Sequence, residues 1–412
     1  MFENIPYYQG KMDLWYSFAC VGIDLLNDKG HLCFIATNKW ITNNGAGILR
    51  NKVIADSQIK QLVDFGSYMI FESANIQTMI MLFEKNNRND GYNFDYRKLI
   101  RNDVKLQDVI EILNKTSIKA LYLKPTIIRD KLKDRFLTFS ENDNIFEKIA
   151  KDATYLTKDE LANGIHPHYD FVDKKHALLH DLKIGEGIFG LSEQERNDLE
   201  LTANELTLIK PYYTTEQIHR YYSHIHNKLW LIYTDSSFKN PKSMNNYLHL
   251  KAHLDRFKNV ITSDNKPYGL HRAREERFFK GEKIAALRKS AGKPSFSYSD
   301  FDCYLSASFY IIKTEKCNLK YLLGLLNSKL VAFWLKNKGK MQGDNYQLDK
   351  EPLMQVPIKI SKNQQPIISL VEQILQSNQQ NADTTALEKE IDILVYELYG
   401  LTEEEIKLIE KI

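Results

Sequence analysis

The chain has 412 residues, of which 43% are hydrophobic and 26% are charged, a composition ordinary for a globular protein of two or three domains. The formal net charge is only +3, so a surface that binds a polyanion must be a local patch. The four cysteines are widely spaced, which argues against a zinc site or a disulfide framework. No apolar run approaches the ~18 residues of a membrane span, and no signal-peptide pattern is present. We therefore expect a cytoplasmic protein without a membrane partner.

The first hundred residues alternate between helical and strand patterns. Apolar side chains at helical spacing predict a helix over 13–26, and a second helix is predicted over 48–56. Short apolar runs predict strands at 31–37, 59–65 and 76–84. The polar, glycine-containing stretch 38–47 predicts a loop. This alternation favours an α/β layer with a largely parallel sheet.

The remaining sequence divides into three regions. Residues 101–182 are expected to form a mostly helical connector, with helical stretches at 104–114 and 144–162. Residues 183–360 hold short, aromatic, β-rich segments that predict a separate α+β domain, for example 228–234, 308–314 and 354–360. Residues 361–412 predict C-terminal helices, in which Gly400 ends one helix and Thr402 is the N-cap of the last.

Three N-terminal segments carry a resemblance to a known family. They are GKMDLWYSFACVGIDLL (10–26), GHLCFIATNKWIT (30–42) and LVDFGSYMIFESANIQTMIMLFE (62–84). In this order they resemble the part that follows the catalytic tetrapeptide in Taq-type adenine-specific DNA methyltransferases, especially those fused into type IIG restriction enzymes. The resemblance implies that residues 1–100 form the C-terminal part of a Rossmann-like methyltransferase domain, with a partial doubly wound sheet.

The same resemblance suggests residues for the target base. Such enzymes extrude the adenine from the duplex, and an aromatic ring that stacks on it is worth roughly 1–3 kcal/mol. The resemblance implies this role for Phe71, although its position also fits a core aromatic at a strand end. Asn38, Lys39 and Trp40 follow a strand that would end at the ligand-facing edge. Either they line the substrate pocket, or Trp40 packs the loop and Lys39 is solvated.

Two motifs of the family are not matched. Its S-adenosylmethionine-binding glycine turn and its N/D-P-P-Y/F tetrapeptide precede the segments that match here. Asn4-Ile5-Pro6-Tyr7 is a poor match, because one proline is replaced and the connection to GKMDLW is short. We therefore expect no cofactor-binding residue in this chain and no activity of the chain alone. A separately encoded N-terminal methyltransferase or nuclease half is the partner that this expectation implies.

The C-terminal region resembles the target-recognition domain of the same enzymes. The segments that carry this resemblance are 208–222, 229–234, 253–257, 323–334 and 351–358, and 394–410 resembles the usual C-terminus. A basic stretch with interleaved aromatics predicts DNA contacts from Arg272, Arg274, Arg277, Lys280, Lys283, Arg288, Lys289 and Lys293. Further candidates are Lys210, Tyr212, Tyr213 and Arg220, and in the loop 338–347 Lys340, Gln342 and Asn345. The alternatives are a solvated basic face and tyrosines that belong to the core.

Metal ligands are not expected, because the pair His166 and His168 in a loop is more often incidental. The resemblance implies binding of double-stranded DNA within an adenine-specific methyltransferase of a bacterial restriction–modification system, with S-adenosylmethionine as the cofactor of the complete enzyme. The alternative is a stand-alone DNA-binding specificity subunit without catalysis of its own. A third possibility is a decayed gene product that folds and binds nothing.

Overall fold

In the computed structural model of the chain, the described residues are 6–71, 73–74, 76–86, 88, 91–101, 103–133, 136–137, 139, 142–379 and 382–411. The chain divides into two compact units, Met1–Asn144 and Ile145–Ile412. Below they are called the first and the second unit. Within the described residues, no helix combines the length and the apolar character that a bilayer crossing requires.

The first unit alternates helices and strands. Its helices are α1 (Leu14–Leu25), α2 (Gly47–Asp56), α3 (Leu106–Leu113) and α4 (Arg129–Leu132), and α5 (Asp143–Ala150) begins at its end. Its strands are β1 (His31–Thr37), β2 (Ser57–Asp64), β3 (Thr78–Lys85), β4 (Tyr92–Asn93), β5 (Asp95–Leu99), β6 (Ala120–Leu123) and β7 (Thr126–Ile127). Short 3₁₀ turns at Asn38–Ile41 and Asn44–Ala46 connect β1 to α2.

Five strands of the first unit form one sheet in the order β1-β3-β2-β5-β6. Strand β3 is antiparallel to both β1 and β2, β5 is parallel to β2, and β6 is antiparallel to β5. Hence β1, β2 and β5 point in one direction, although only β2 and β5 are parallel neighbours among the described strands of this sheet. The expected largely parallel pairing is wrong for these strands. The loop 65–77 returns the chain as an antiparallel neighbour of β2 and β1, with no helix among its described residues, and tertiary packing selects this return over a crossover.

One face of this sheet is covered by α1 and α2. Their buried side chains include Tyr16, Ile23 and Leu49, and they pack with Leu62 and Met81 from the sheet. On β1 the side chains alternate, with His31, Cys33 and Ile35 exposed and the intervening ones partly buried. Since β1 has a described partner on one side only, it is an edge strand with an accessible side.

The second unit is built from many short elements. Its helices are α6 (Lys174–His180), α7 (Glu193–Asp198), α8 (Ala203–Leu206), α9 (Leu248–Arg256), α10 (Leu319–Asn327), α11 (Lys329–Lys338), α12 (Lys350–Met354), α13 (Gln365–Gln379), α14 (Thr385–Tyr399) and α15 (Glu403–Ile409). Its strands are β8 (Leu161–Asn163), β9 (Gly190–Ser192), β10 (Ile209–Tyr213), β11 (Tyr221–Tyr222), β12 (Leu229–Ile232), β13 (Lys283–Leu287), β14 (Lys289–Ala291), β15 (Phe296–Ser299), β16 (Tyr304–Leu305), β17 (Phe309–Ile312), β18 (Lys340–Gln342) and β19 (Asn345–Gln347).

Three sheets organise this second unit, with the orders β16-β10-β12-β9, β11-β15-β13-β17-β8 and β14-β19-β18. The C-terminal helices pack closely against the second of these sheets. Gly324 on α10 lies so near α13 that an added Cβ would stand 2.5 Å from Cγ2 of Ile367. The chain as a whole is therefore a mixed α/β protein with several small sheets.

Several sequence predictions are confirmed closely, and others are wrong. The predicted strand 31–37 is β1, and Gly400 ends α14 with a φ of +67°. Thr402 caps α15 by accepting from the backbone N–H of Glu405. By contrast, the predicted helix 144–162 is helical only to Ala150, and residue 358 makes one isolated bridge instead of a strand. The described part of 101–182 holds strands β6, β7 and β8 as well as helices, so it is not mostly helical.

Candidate functional site

The first candidate site lies in the first unit at the carboxyl ends of β1 and β2. In this subsection that end of the sheet is called its edge. Strands β1 and β2 run in the same direction, so the residues that follow Thr37 and Asp64 emerge at the same edge. The loop 65–77 leaves this edge from β2 and re-enters it at Thr78, the first residue of β3. Phe71 and the segment Asn38–Ile41 are therefore brought to one edge by the topology, as in open α/β sheets that bind ligands there.

Asn38 holds this edge together. Its side-chain amide donates to Oδ1 of Asp64 over 2.9 Å, and its backbone N–H donates to the carbonyl of Gln77 over 3.0 Å. Oδ1 of Asp64 also accepts the backbone N–H of Gly66 over 3.0 Å. Asp64 is buried, so these donors compensate the desolvation of its carboxylate. Asn38 thus links the three segments that meet at the edge, and its position in the substrate pocket stays a prediction.

Trp40 and Lys39 have different environments. Trp40 is fully buried, its indole N–H lies 3.2 Å from Sδ of Met79, and its ring packs edge-on against Phe83. The guanidinium of Arg50 donates to the carbonyl of Trp40 and holds the turn in place. These contacts favour the alternative in which Trp40 packs the loop, while Lys39 is exposed.

Phe71 is exposed over 42% of its surface. Its carbonyl accepts the backbone N–H of Ala74 over 3.2 Å, which closes a turn within the loop. The alternative of a core aromatic at a strand end is therefore wrong, because a core ring would be shielded from solvent. The structure leaves the ring accessible at the edge, where a flat partner can approach it.

The second candidate site is a cleft in the second unit. Two adjoining cavities of about 610 and 220 Å³ share His166, Arg288 and Ala307 in their walls. His168 and Asp170 line the larger cavity, and the smaller one is lined by His271, Arg272 and Arg274. We call these two cavities together the histidine–arginine cleft.

Two chain segments far apart in sequence form the floor of this cleft. Residues His166 and Arg272 pair as an antiparallel bridge, with N–H to O distances of 3.0 and 2.9 Å. Gly164 precedes this bridge and passes so close to another segment that an added Cβ would lie 1.9 Å from the carbonyl oxygen of Ser306. The Nε–H of Arg274 donates to the carbonyl of Gly164 over 3.3 Å. The absence of a side chain at Gly164 therefore lets the histidine segment lie against the backbone of Ser306 at the cleft.

The three histidine rings of the cleft lie close together. The ring centroids of His166 and His271 are 5.3 Å apart, and His168 lies 6.5 Å from the first and 5.6 Å from the second. Partial burial lowers the pKa of His166, and positive charge from His271, His168 and Arg274 lowers it further. Burial, Arg272, His168 and Arg274 lower the pKa of His271, against an opposing contribution from Asp264. Both rings are therefore neutral near pH 7 in the absence of an anion.

Asp170 forms an acidic part of the wall. Burial raises the pKa of this carboxyl to about 6, and a hydrogen bond of 3.3 Å from the hydroxyl of Tyr212 only partly offsets that effect. Tyr212 is fully buried, so its hydroxyl lies within the cleft wall and not on an open surface. A carboxyl in this environment loses its negative charge as the pH falls through about 6.

A three-stranded polar sheet adjoins the cleft. In β14-β19-β18, Lys289 and Lys340 both pair with Gln347, and Ala291 and Gln342 both pair with Asn345. Residues that are directly opposite or two apart share one face of a sheet. One face of this sheet, the polar sheet face, therefore carries the side chains of Lys289, Lys340, Gln342, Asn345 and Gln347. Lys289 and Gln347 also line the larger cavity, so the face and the cleft are continuous.

Four of the expected DNA contacts are corrected by the structure. Lys283 is fully buried, and its ammonium group donates to the carbonyls of Gly281 and Phe301. Tyr212 and Tyr213 are core residues. Arg220 pairs with Glu388 and donates to the carbonyl of Asn327. Such side chains cannot reach a duplex without giving up these partners, which is unfavourable for a buried polar group.

Other basic candidates are accessible but paired. Arg272 lies 3.0 Å from Asp264, and Arg277 lies 2.8 Å from Glu275. Glu276 binds both Lys280, over 3.3 Å, and Lys210, over 3.5 Å. Lys289 and Lys293 are exposed. Exposed ion pairs are weak, so these cations remain available to a polyanion.

Sequence reasoning missed four contributors, His271, Gln347, Asp170 and Ser306. Gln347 follows Asn345 at strand spacing, which was the available signal. Asp170 and Ser306 enter the cleft only through long-range packing. The histidine pair 166 and 168 was considered only as a metal site, and among the described residues no group of three or more His, Cys, Asp or Glu side chains has a metal-binding arrangement.

Comparison with known families now defines the class of the protein. Residues 3–71 match the Eco57I restriction–modification methylase family, and residues 210–358 match the TaqI-like C-terminal specificity domain. The chain is therefore similar to a restriction–modification methylase in its first part and to a TaqI-like specificity domain in its second. The resemblance inferred from the sequence is confirmed in these two ranges.

One solved structure is similar at the level of the fold, and a second is given for its coverage only. The type IIL restriction–modification enzyme MmeI, determined in complex with DNA, aligns with 98% of this chain at a TM-score of 0.55 and 12% identity. The type IIG restriction endonuclease BpuSI aligns with 96% at a TM-score of 0.33 and 12% identity. The chain spans about half of each protein, 53% and 50% respectively.

Proposed function

We propose that the chain binds duplex DNA and selects its sequence, as the specificity part of an adenine-specific DNA methyltransferase in a type IIG restriction–modification system. The observation that carries this proposal is the polar sheet face, which lies within the residues that match the specificity domain and continues into the histidine–arginine cleft. Asn and Gln side chains form paired hydrogen bonds with adenine, and Lys and Arg side chains bond guanine in the major groove. The DNA in the MmeI structure supports a duplex as the partner.

The charges around this face suit a phosphate backbone. Lys289, Lys293 and Lys340 are exposed on or beside it, and Arg272 stands at the adjoining cleft. Each phosphate that a cation neutralises releases a counterion, so the logarithm of the affinity falls by about 0.9 per contact for each tenfold rise in salt. Binding at low salt that weakens steeply with added salt is therefore expected. A DNA partner also implies a cytoplasmic location in a bacterial cell.

Fluorescence anisotropy with a labelled duplex tests the proposal. The variant Lys340→Ala/Gln342→Ala/Asn345→Ala removes three side chains of the polar sheet face, and we expect its affinity to fall at least about tenfold. The matched control Gln194→Ala/Lys242→Ala removes exposed polar side chains elsewhere in the second unit and is expected to bind normally. Equal affinities of both variants and the wild type would contradict the proposal for this face.

For the first unit we propose a continuation of a doubly wound methyltransferase sheet. Strand β1 is the edge strand, with Cys33 and Ile35 exposed, and on α1 the side chains of Leu14, Phe18 and Leu25 are exposed as well. Apolar side chains beside an unpaired strand edge favour coverage by further polypeptide. A methyltransferase half that precedes these segments, on the same chain or separately encoded, is the proposed occupant. In the complete enzyme S-adenosylmethionine supplies the methyl group, and we assign no residue of this chain to its binding.

A methyl-transfer assay separates this proposal from the alternative. The chain is mixed with duplex DNA and labelled S-adenosylmethionine, with and without a methyltransferase half. Transfer only in the presence of that half supports the proposal, whereas DNA binding without transfer in any mixture favours a stand-alone specificity subunit. Transfer by the chain alone would overturn the expectation that the cofactor site lies outside it. Loss of DNA binding even at low salt would favour a decayed gene product.

Within this proposal, Phe71 stacks on the extruded adenine. Its ring is exposed at the sheet edge, so Phe71→Ala removes a stacking surface without opening a core cavity. We expect methylation by the complete enzyme to fall by about tenfold or more while duplex binding stays within about twofold. Met69→Ala, in the same loop and similarly exposed at 37%, is the matched control. Phe71→Trp is expected to restore activity, and equal loss of binding and methylation in Phe71→Ala would refute the stacking role.

A further inference from the structure

The histidine–arginine cleft concentrates hydrogen-bond donors. Its histidine rings lie within 6.5 Å of one another, centroid to centroid, and the guanidinium groups of Arg272, Arg274 and Arg288 line the same walls. The positive neighbours are close enough to lower the pKa of Arg274 itself, after the larger effect of burial. Such a concentration of cations is unfavourable unless an anion compensates it.

Several polar atoms of this cleft have no hydrogen-bond partner within the described part of the chain. They are Nδ1 of His168, Nε of Arg288 and Oγ of Ser306. Ser306 is only 8% exposed and lines the larger cavity, so its hydroxyl is a buried group without a partner at the cavity wall. Buried polar groups are nearly always paired, with protein or with ordered water, so these atoms mark the cleft as a place where water or a ligand completes the hydrogen bonding.

We propose that the histidine–arginine cleft binds one phosphate group of the DNA backbone and that its histidines take up protons as the phosphate binds. This rests on the proposed function, because it names the chemical group of the duplex that the cleft receives. The arginines supply permanent charge and planar donor pairs that match phosphate oxygens. The histidines supply the remaining donors.

The coupling to protons follows from the balance of charges. Neutral imidazole has one N–H donor, whereas imidazolium has two and carries a positive charge, so a phosphate stabilises the protonated form. The charged groups that face the rings are Arg272, Arg274, Arg288, Lys289, Asp170 and Asp264. Burial, with the nearby positive charge of Arg274 and, for His271, of Arg272, lowers the pKa of His166 and His271 in the free protein, and a bound anion opposes this effect.

The direction of the pH dependence is therefore determined. Histidine pKa values below the usual range in the free protein rise on binding, so the affinity increases as the pH falls from about 8 toward 6. Each proton taken up contributes at most about a tenfold gain per pH unit. Asp170 acts in the same direction, because it loses its negative charge near pH 6.

Calorimetry of the full chain with a duplex measures the proton uptake directly. Titrations at pH 7 in two buffers with different ionisation enthalpies give the number of protons bound, and anisotropy from pH 8 to pH 6 at constant ionic strength gives the affinity. We expect net uptake and an affinity gain of at least about fivefold between pH 8 and pH 6. His166→Gln/His271→Gln is expected to lose most of this gain. Asp170→Asn is expected to lose only the smaller contribution of that carboxyl and to retain most of the gain, because the histidines remain.

The matched control is His224→Gln. His224 is exposed and lies 5.2 Å from the ring of His219, so it belongs to a histidine pair outside the cleft. It is expected to keep the full pH dependence, and thermal melts at both pH values verify that each variant folds. A gain that persists in His166→Gln/His271→Gln, or that disappears in His224→Gln, would overturn the inference.

The failure of this inference differs from the failure of the proposed function. A duplex that binds without proton uptake overturns the inference alone, whereas a duplex that does not bind at any pH overturns the proposed function. Inorganic phosphate distinguishes the source of the anion. If inorganic phosphate displaces the duplex only at concentrations whose ionic strength alone weakens binding, the result supports a backbone phosphate as the ligand. If inorganic phosphate displaces the duplex at low concentrations at pH 6, the cleft binds a free anion and the inference is overturned.

Discussion

Glu205 is a buried carboxylate whose removal should destabilise the second unit. It is only 1% exposed and belongs to the short helix α8. Its carboxylate accepts from the backbone and hydroxyl of Thr202 over 2.9 and 2.8 Å, from the backbone of His249 over 2.7 Å, and from the backbone of Leu250 over 3.3 Å. It also contacts Nδ1 of His249 over 2.8 Å. One side chain thus caps α8 and anchors the N-terminus of α9.

The pKa of Glu205 gives the size of its contribution to the free energy of unfolding. Burial alone would raise it, but the hydrogen bonds from Thr202 and His249 outweigh that effect and lower the pKa from 4.5 to about 2. A depressed carboxyl pKa contributes stability that is complete above the unfolded-state value and is lost as the pH falls through the folded-state value. The shift corresponds to about 3 kcal/mol at pH 7, declining to about 1 kcal/mol by pH 3.

Urea unfolding of Glu205→Gln tests this reasoning. Glutamine keeps the shape and cannot ionise, so we expect a free energy of unfolding about 3 kcal/mol below that of the wild type at pH 7. The two proteins should approach each other between pH 5 and pH 3. Glu200→Gln, an exposed residue nearby, is the control and should change stability by less than about 0.5 kcal/mol. A difference that stays constant with pH would refute the electrostatic origin.

Three further substitutions test packing and hydrogen bonding, each by denaturant unfolding. Gly164→Ala is expected to destabilise the second unit by about 2 kcal/mol or more, because the new Cβ meets the backbone of Ser306, whereas Gly281→Ala, with open space at φ +56°, should lose only about 1 kcal/mol. Arg129→Met removes donors to three backbone carbonyls beside α2 and should destabilise the first unit by about 3 kcal/mol. Trp40→Ala opens a cavity in a fully buried site and should lose about 3–5 kcal/mol. A change below about 1 kcal/mol in either of the last two would contradict the burial argument.

The elements that the sequence predicts well are those with strong local signals. The predictions of strand β1 and of the caps at Gly400 and Thr402 depend on a short apolar run, on a left-handed residue and on an N-cap threonine, and all three are properties of a few consecutive residues. The pairing of strands is not such a property. The loop 65–77 allows either a crossover or a direct return, and only tertiary packing decides that β3 returns between β1 and β2.

The basic residues also show that local sequence does not predict the environment of a single side chain. Lys283 and Lys289 are six positions apart in one basic stretch, yet the first is fully buried on β13 and the second is exposed on β14. Both lysines belong to the same basic stretch, so its composition does not distinguish them. Their difference arises because β13 lies in the middle of a five-stranded sheet, whereas β14 is at the edge of the three-stranded one. A charge run therefore predicts a partner class but not which of its members meet that partner.

The histidine–arginine cleft could not be read from one sequence for a more specific reason. His166 and His168 were visible as a pair, and a pair is weak evidence for any site. The third ring, His271, joins them through the bridge between His166 and Arg272, and next to that bridge Gly164 passes close to the carbonyl of Ser306, where a side chain has no room. Glycine occurs in proteins for several different reasons, so a glycine in the sequence does not by itself predict a close approach of two backbone segments. The chemistry of this cleft thus depends on one absent side chain, which links the stability prediction for Gly164 to the proton-coupled binding of the backbone phosphate.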